Sequence, residues 1–157
     1  MRRIRKKFKR PKKAWGSAQI KEEKDIVRKY GLKKKRELWM AQEVLRKFRQ
    51  RARNLIAVKN EEKEKILLDK MIKLGLLSKN NDLDDILALK IDNILDRRLQ
   101  TIVFKRGMCG NIKQSRQLIV HGHVGIDKKK TTSPSYLVTA EEENKVEWYG
   151  NKMKGGK

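Results

Sequence analysis

Cysteine is nearly absent: Cys109 stands alone in 157 residues. Neither an internal disulfide nor a multi-cysteine zinc site can therefore hold the fold together, and stability must come from apolar packing and from a partner. No stretch approaches the roughly 20 consecutive apolar residues that cross a bilayer. The basic N-terminus is followed by no apolar signal core, so a soluble, intracellular protein with no membrane partner is expected. No phosphate-binding glycine loop of either common type is present, and GMCG at 107–110 reads only as a loop between helices. Acidic residues are also scarce, with 19 Asp and Glu against 42 Lys and Arg and a formal net charge of +23. The charged fraction is 39%, against roughly 25% in ordinary soluble domains. Such a chain repels itself when compact, and nucleic acid is the polyanion that best relieves it.

The charge is distributed unevenly. Residues 1–53 carry 22 basic and 5 acidic side chains, residues 54–91 carry 7 of each, and residues 92–157 carry 13 and 7. A membrane-surface protein concentrates its charge on one amphipathic helix. Two basic regions flanking a neutral one suit a polyanion followed over a longer path. The first thirteen residues hold nine cations and no acid: Arg2, Arg3, Arg5, Lys6, Lys7, Lys9, Arg10, Lys12 and Lys13. Alone, such a segment is disordered. Beside RNA phosphates it becomes an ordered arm.

Apolar spacing and stop signals divide the rest. A short helix over 18–30 is closed by Gly31. A longer one over 34–58 has Leu38, Ala41, Leu45, Phe48, Ala52 and Leu55 on a single stripe. Arg46, Lys47, Arg49, Arg51 and Arg53 cover much of its remaining surface, and so many guanidinium groups with so few acids point to phosphate contact. A charge-balanced helix follows over 61–74, and Asp82 offers an N-cap to a short helix ending near Leu89. A single helix is predicted over 92–105, with Leu95, Leu99, Ile102 and Val103 inward. Asn111 and Gln114 have capping-box spacing ahead of another helix over 112–120. The period then shifts to that of strands at Val124 and Ile126, a basic turn over 127–130, and further strands at Tyr136, Val138, Val146 and Trp148. The fold class is α+β: a basic extended arm (1–17), a helical domain (18–91), a module of two helices and a small mainly antiparallel sheet (92–148), and a flexible tail (149–157).

The segments RRLQTIVFKRG, IKQSRQLIVHGHVGI and TSPSYLV, in this order and spacing, resemble the S-four RNA-binding module over residues 95–138. Pseudouridine synthases, a bacterial heat-shock protein and some tyrosyl-tRNA synthetases share that module. The upstream segments KEEKDIVRKYGLKKKRELW, LRKFRQRAR and LDDILAL resemble the small-subunit ribosomal proteins of the S-four family in their archaeal or eukaryotic-like form. The resemblance implies a primary binder of small-subunit rRNA that acts early in assembly of the subunit body. It implies a cytoplasmic position beside ribosomal protein S-five, near the channel through which messenger RNA enters, and an influence on decoding accuracy. It maps Arg97, Arg98, Lys105, Arg106, Lys113, Arg116, Gln117, His121 and His123 onto the module's RNA-facing helices and the turn after them. The hairpin residues Lys128, Lys129 and Lys130 replace the family's frequent Asn-Gly turn with Asp-Lys but keep its charge. The four-cysteine zinc site of some bacterial members is absent.

Sharper chemistry finds little support in the sequence. His121 and His123 make a poor metal site without further ligands. Cys109, close to Lys105 and Arg106, has no base placed beside it to make a nucleophile. Asp84 and Asp85 sit at a helix start, where they complement its dipole. No catalytic residue, metal or cofactor is expected. The alternative reading is the RNA-binding domain of an RNA-modifying enzyme, but such an enzyme adds a catalytic domain, and this chain runs only from Met1 to a Gly155-Gly156-Lys157 end shortly after the module.

Overall fold

The computed structural model describes residues 8–9, 11, 16–78 and 80–150. Helix α1 (Ser17–Lys29) ends where Gly31 takes a left-handed φ of +56°. The amide of Leu32 reaches back to the carbonyl of Val27 at 3.0 Å, which closes the last helical turn. Helix α2 (Lys35–Ala57) buries the predicted stripe of Leu38, Ala41, Leu45, Phe48 and Ala52. Against it pack α3 (Glu61–Lys73), which contributes Leu67 and Met71, and α4 (Leu83–Ala88), which contributes Leu83 and Ile86. At the start of α4 the carboxylate of Asp85 accepts the amide of Asp82 at 3.0 Å. Ile94 and Leu95 from α5 (Ile91–Asp96) complete this first core.

The single helix predicted over 92–105 is two helices, α5 and α6 (Leu99–Lys105). Between them Arg98 adopts extended backbone and bridges antiparallel to Leu137. The groups freed by the break are satisfied from that segment: the amide of Val138 donates to the carbonyl of Arg97 at 2.9 Å, and the amide of Leu99 to that of Tyr136 at 2.8 Å. Tyr136 and Val138 are therefore not sheet strands. Their segment serves the helix break instead.

Helix α7 (Ile112–His121) leads into β1 (Val124–Ile126), the central strand of a three-stranded antiparallel sheet. On one side β2 (Lys129–Lys130) pairs through Ile126 and Lys129. Asp127 and Lys128 connect them with φ of +51° and +61°, the mirror-image hairpin turn that matches strand twist. On the other side β3 (Val146–Trp148) pairs Val124 with Trp148 and Ile126 with Val146. One further element had no counterpart among the expectations: α8 (Ala140–Glu143), started by a reciprocal cap in which Glu142 and Thr139 exchange bonds of 3.2 and 2.9 Å. Leu99, Ile102, Val103, Leu118, Ile119, Val124, Val138 and Val146 form the second core.

The two cores meet at a polar seam. Gln100 is fully buried, and its Nε2 donates to the carbonyls of Gly31 at 3.1 Å, Tyr30 at 3.4 Å and Ile112 at 3.0 Å. Ser115 Oγ donates to the carbonyl of Gln100 at 2.7 Å. The turn after α1 is thereby fixed against the start of α7. Ile112, at the start of α7, is half-buried and packs on this turn. A Cβ on Gly31 would lie 2.8 Å from Ile112 Cγ2 and 3.0 Å from Gln100 Nε2. Gly31→Ala is therefore expected to lower stability by at least the roughly 1–2 kcal/mol of a left-handed non-glycine residue. Urea unfolding followed by circular dichroism measures it, and an unchanged midpoint would mean that the turn is not held as described.

Candidate nucleic-acid interface

Helix α7 has two unlike faces. Ser115, Leu118 and Ile119 are buried, whereas Lys113, Gln117 and His121, spaced four residues apart, form one exposed stripe. Asn111 caps the helix through its Oδ1, which accepts the amide of Lys113 at 3.2 Å. The carboxamide of Gln114 bonds the amide of Gly110 at 3.3 Å, not that of Asn111 as the capping-box spacing predicts. Beyond Gly122 the rings of His121 and His123 lie nearly parallel, with centroids 6.3 Å apart. The side chain of Lys130 runs across Gly122 so closely that a Cβ there would collide with it. Lys128, Lys129 and Lys130 are all exposed.

At its other end α7 abuts Gly31, which places the exposed Lys33, Lys34 and Arg36 beside the same surface. Exposed cations thus lie near both ends of the α7 stripe, Lys33, Lys34 and Arg36 by its start and Lys130 by its end, and together with Lys113, Gln117 and His121 they make up a basic band. Lys33, Lys34 and Arg36 were not among the contacts expected from the sequence. Their signal was the KKKR run immediately after a helix-stopping glycine.

Several predicted arginines point elsewhere. Arg98 is 4% exposed, so its assignment to the RNA-facing surface is corrected: its Nη2 bonds Glu37 of α2 at 2.7 Å. Arg116, expected on the open side of α7, gives two bonds to the same carboxylate, at 3.1 and 3.0 Å. Arg97 is held by Glu143 at 2.6 Å and by the carbonyl of Val138 at 3.0 Å. Glu143, in an acidic run that phosphates would repel, is thus an internal partner of Arg97. Arg49 is half-buried and donates to the carbonyl of Leu89 at 2.5 Å. Arg106 donates to the carbonyl of Val146 at 2.6 Å. Arg46 pairs with Glu43 at 2.6 Å, and Lys105 with Asp96 at 3.1 Å, all in partly open positions. Lys47, Arg51 and Arg53 remain exposed on α2. Arg49, Arg97, Arg98 and Arg116 share one physical reason: a weakly hydrated planar fork satisfies several acceptors when partly buried.

Of the arm, Lys9 is exposed and Phe8 packs its ring 5.8 Å from that of Trp39. Arg2, Arg3, Arg5, Lys6, Lys7, Arg10, Lys12 and Lys13 lie outside the described residues. Cys109 is buried, which pushes its thiol up, opposite to the shift a nucleophile needs. Among the described residues, no group of three or more His, Cys, Asp or Glu gathers as metal ligands would.

Residues 97–144, which take in the helix break, α7 and the hairpin, match the S4 domain family. The likeness to known proteins extends well beyond that range. The small ribosomal subunit protein uS4 of Saccharolobus solfataricus is 45% identical over 152 residues, covering 94% of this chain and 84% of that protein. The uS4 proteins of Sulfurisphaera tokodaii and Sulfolobus acidocaldarius are 45% and 44% identical, each covering 94% of this chain and 86% of the relative. The chain belongs to the uS4 family. Membership accounts for the helical part as well as the module, since the aligned length includes both.

Within this uS4 scaffold Glu37 is the acid most closely surrounded by cations. Burial raises its pKa, but the bonds from Arg116 and Arg98 and their charges outweigh burial, so the carboxyl lies below the usual value. A depressed folded pKa adds stability that is fully present above the unfolded value of roughly 4.3 and is lost as pH falls through the folded value. Glu37→Gln is therefore expected to be less stable than the wild type at pH 7, with the gap narrowing below about pH 4. Urea midpoints of both proteins from pH 7 to pH 3 measure this. A gap independent of pH would remove the ionised carboxylate from the explanation.

Proposed function

We propose that this chain is a structural protein of the small ribosomal subunit that binds small-subunit rRNA through the band from Lys33, Lys34 and Arg36 across α7 to the hairpin lysines. The observation that carries the reading is this band: exposed lysines, Gln117 and two histidines gathered on one surface by α7 and the turns at its ends. Lysines supply charge to phosphates, while Gln117 and the imidazoles supply donors and acceptors for riboses and base edges. Lys47, Arg51 and Arg53 extend the basic surface along α2. The likeness to small ribosomal subunit proteins supports the ribosomal assignment over a modifying enzyme, because it covers the helical part too.

On the same reading the protein joins rRNA early in assembly of the subunit body and resides in cytoplasmic ribosomes. It neighbours S-five near the channel where messenger RNA enters and supports decoding accuracy. The nine cations of residues 1–13 add further charge for rRNA phosphates.

Two measurements test the RNA surface. Lys113→Glu is expected to weaken binding to a small-subunit rRNA transcript about tenfold or more, on the order of 1.4 kcal/mol. Lys63→Glu, on the exposed and charge-balanced α3, changes net charge equally and is expected to do much less. Equal losses in two folded variants would mean that only the overall field matters. Binding is also expected to weaken steeply with salt, with a log–log slope of roughly −0.7 to −0.9 per phosphate neutralised. A slope worth only one or two phosphates would be incompatible with a band of this length.

A further inference from the structure

Glu37 is an anomaly on the surface just described. It is an acid in the first turn of α2, immediately after the exposed cations Lys33, Lys34 and Arg36, in a chain with 42 basic and 19 acidic residues. A carboxylate close to bound phosphates weakens their attraction, so its presence needs a compensating role. Its side chain is only 13% exposed, and its carboxylate is bonded three times: by Arg98 at 2.7 Å from the break before α6, and by Arg116 at 3.1 and 3.0 Å from the middle of α7. One acid on the helical part thus fastens two separate points of the module.

We propose that Glu37 is the positioning residue for specific RNA recognition: it locks α2 to α6 and α7 so that the two ends of the basic band keep the spacing of one folded RNA surface. The inference rests on the RNA-binding reading of that band. Burial disfavours the charged form of Arg98, Glu37 offsets this, and the like charge of Arg116 adds a smaller repulsion. Without the carboxylate between them the two arginines repel, and the joint loses its angle. Oε2 of Glu37 accepts from both Arg98 and Arg116, and Oε1 takes a second bond from Arg116. Glutamine keeps the size and one acceptor oxygen, but its NH2 group cannot accept, so one bond is lost together with the negative charge that holds the two guanidinium groups side by side. Unstructured polyanion adapts to any arrangement of the two cationic ends, but folded rRNA does not.

Charge and positioning predict opposite signs, which makes the test decisive. Glu37→Gln raises the net charge from +23 by one unit, so electrostatics alone predicts tighter binding to every RNA. Positioning predicts at least a tenfold loss of affinity for a small-subunit rRNA transcript, with affinity for polyuridylate unchanged or tighter. It also predicts a shallower salt dependence on the rRNA, because fewer phosphates are met at once. The full chain is used throughout, with circular dichroism to monitor folding. If Glu37→Gln does not fold, Glu37→Asp decides, since it keeps the charge but is one methylene too short to reach both arginines; a selective loss in the same direction is expected. Unchanged or tighter rRNA binding, or equal losses on both RNAs, would overturn the proposal while leaving the RNA-binding reading intact. A wild-type protein that does not prefer the rRNA transcript to polyuridylate would overturn that reading and this proposal with it.

Discussion

A single buried amide holds the arrangement together. Gln100 lies at the meeting point of the two apolar cores, and its two Nε2 hydrogens are directed at the carbonyls of Gly31 and Ile112, with that of Tyr30 at the edge of reach. Replacing it with an apolar side chain would leave the buried turn after α1 without this donor, at about 1–3 kcal/mol for a buried acceptor left unpaired. The interaction also fixes geometry that apolar contact leaves loose. Hydrophobic packing tolerates sliding, whereas an amide with defined donor directions does not. Because two of the carbonyls belong to the turn after α1 and the third to the start of α7, the basic surface crosses from one half of the molecule to the other at this point.

The scarce acids are placed with the same economy. Glu23 is buried and collects Lys35 at 2.9 Å, Trp39 at 3.1 Å and Gln19 at 3.3 Å. Asp92 accepts the hydroxyl of Tyr30 at 2.9 Å and the ammonium of Lys29 at 3.3 Å. Glu37 and Glu143 receive arginines from distant parts of the chain. These carboxylates join elements to one another, and the cations divide accordingly. Arg49, Arg97, Arg98, Arg106 and Arg116 make bonds within the protein, while Lys33, Lys34, Lys47, Lys113 and the hairpin lysines face outward. Strongly hydrated ammonium groups remain in water, and guanidinium forks tolerate partial burial.

This division explains how far the sequence could be read. The long stripe of α2 was legible because it repeats from Leu38 to Ala52, over about four turns, and the glycine after α1 stops that helix where its type demands. The break between α5 and α6 was not legible: Leu95, Leu99 and Ile102 keep helical spacing straight through it, and its cause lies some forty residues later in the segment at 136–138. The placement of Arg98 failed for the same reason. Surface and buried arginines look alike in one dimension, and its partner Glu37 is 61 residues away. Lysine runs were more faithful guides, since an ammonium rarely leaves water. The hairpin was located by its strand pattern, but its left-handed Asp127–Lys128 pair carries no glycine to announce it.

The division into two apolar clusters also governs how the chain folds as it is synthesised. The first cluster takes its last buried members from Ile94 and Leu95, and the second begins at Leu99. Helical hairpins emerging from a translating ribosome can thus close the first cluster before most of the second exists, as domains folding in N-to-C order do. During that interval the site on α2 that will receive Arg98 and Arg116 stands open to solvent, and docking of the later half closes it. The nascent protein therefore presents its cationic arm and α2 first, and acquires the α7 surface only after α7 has been made and docked.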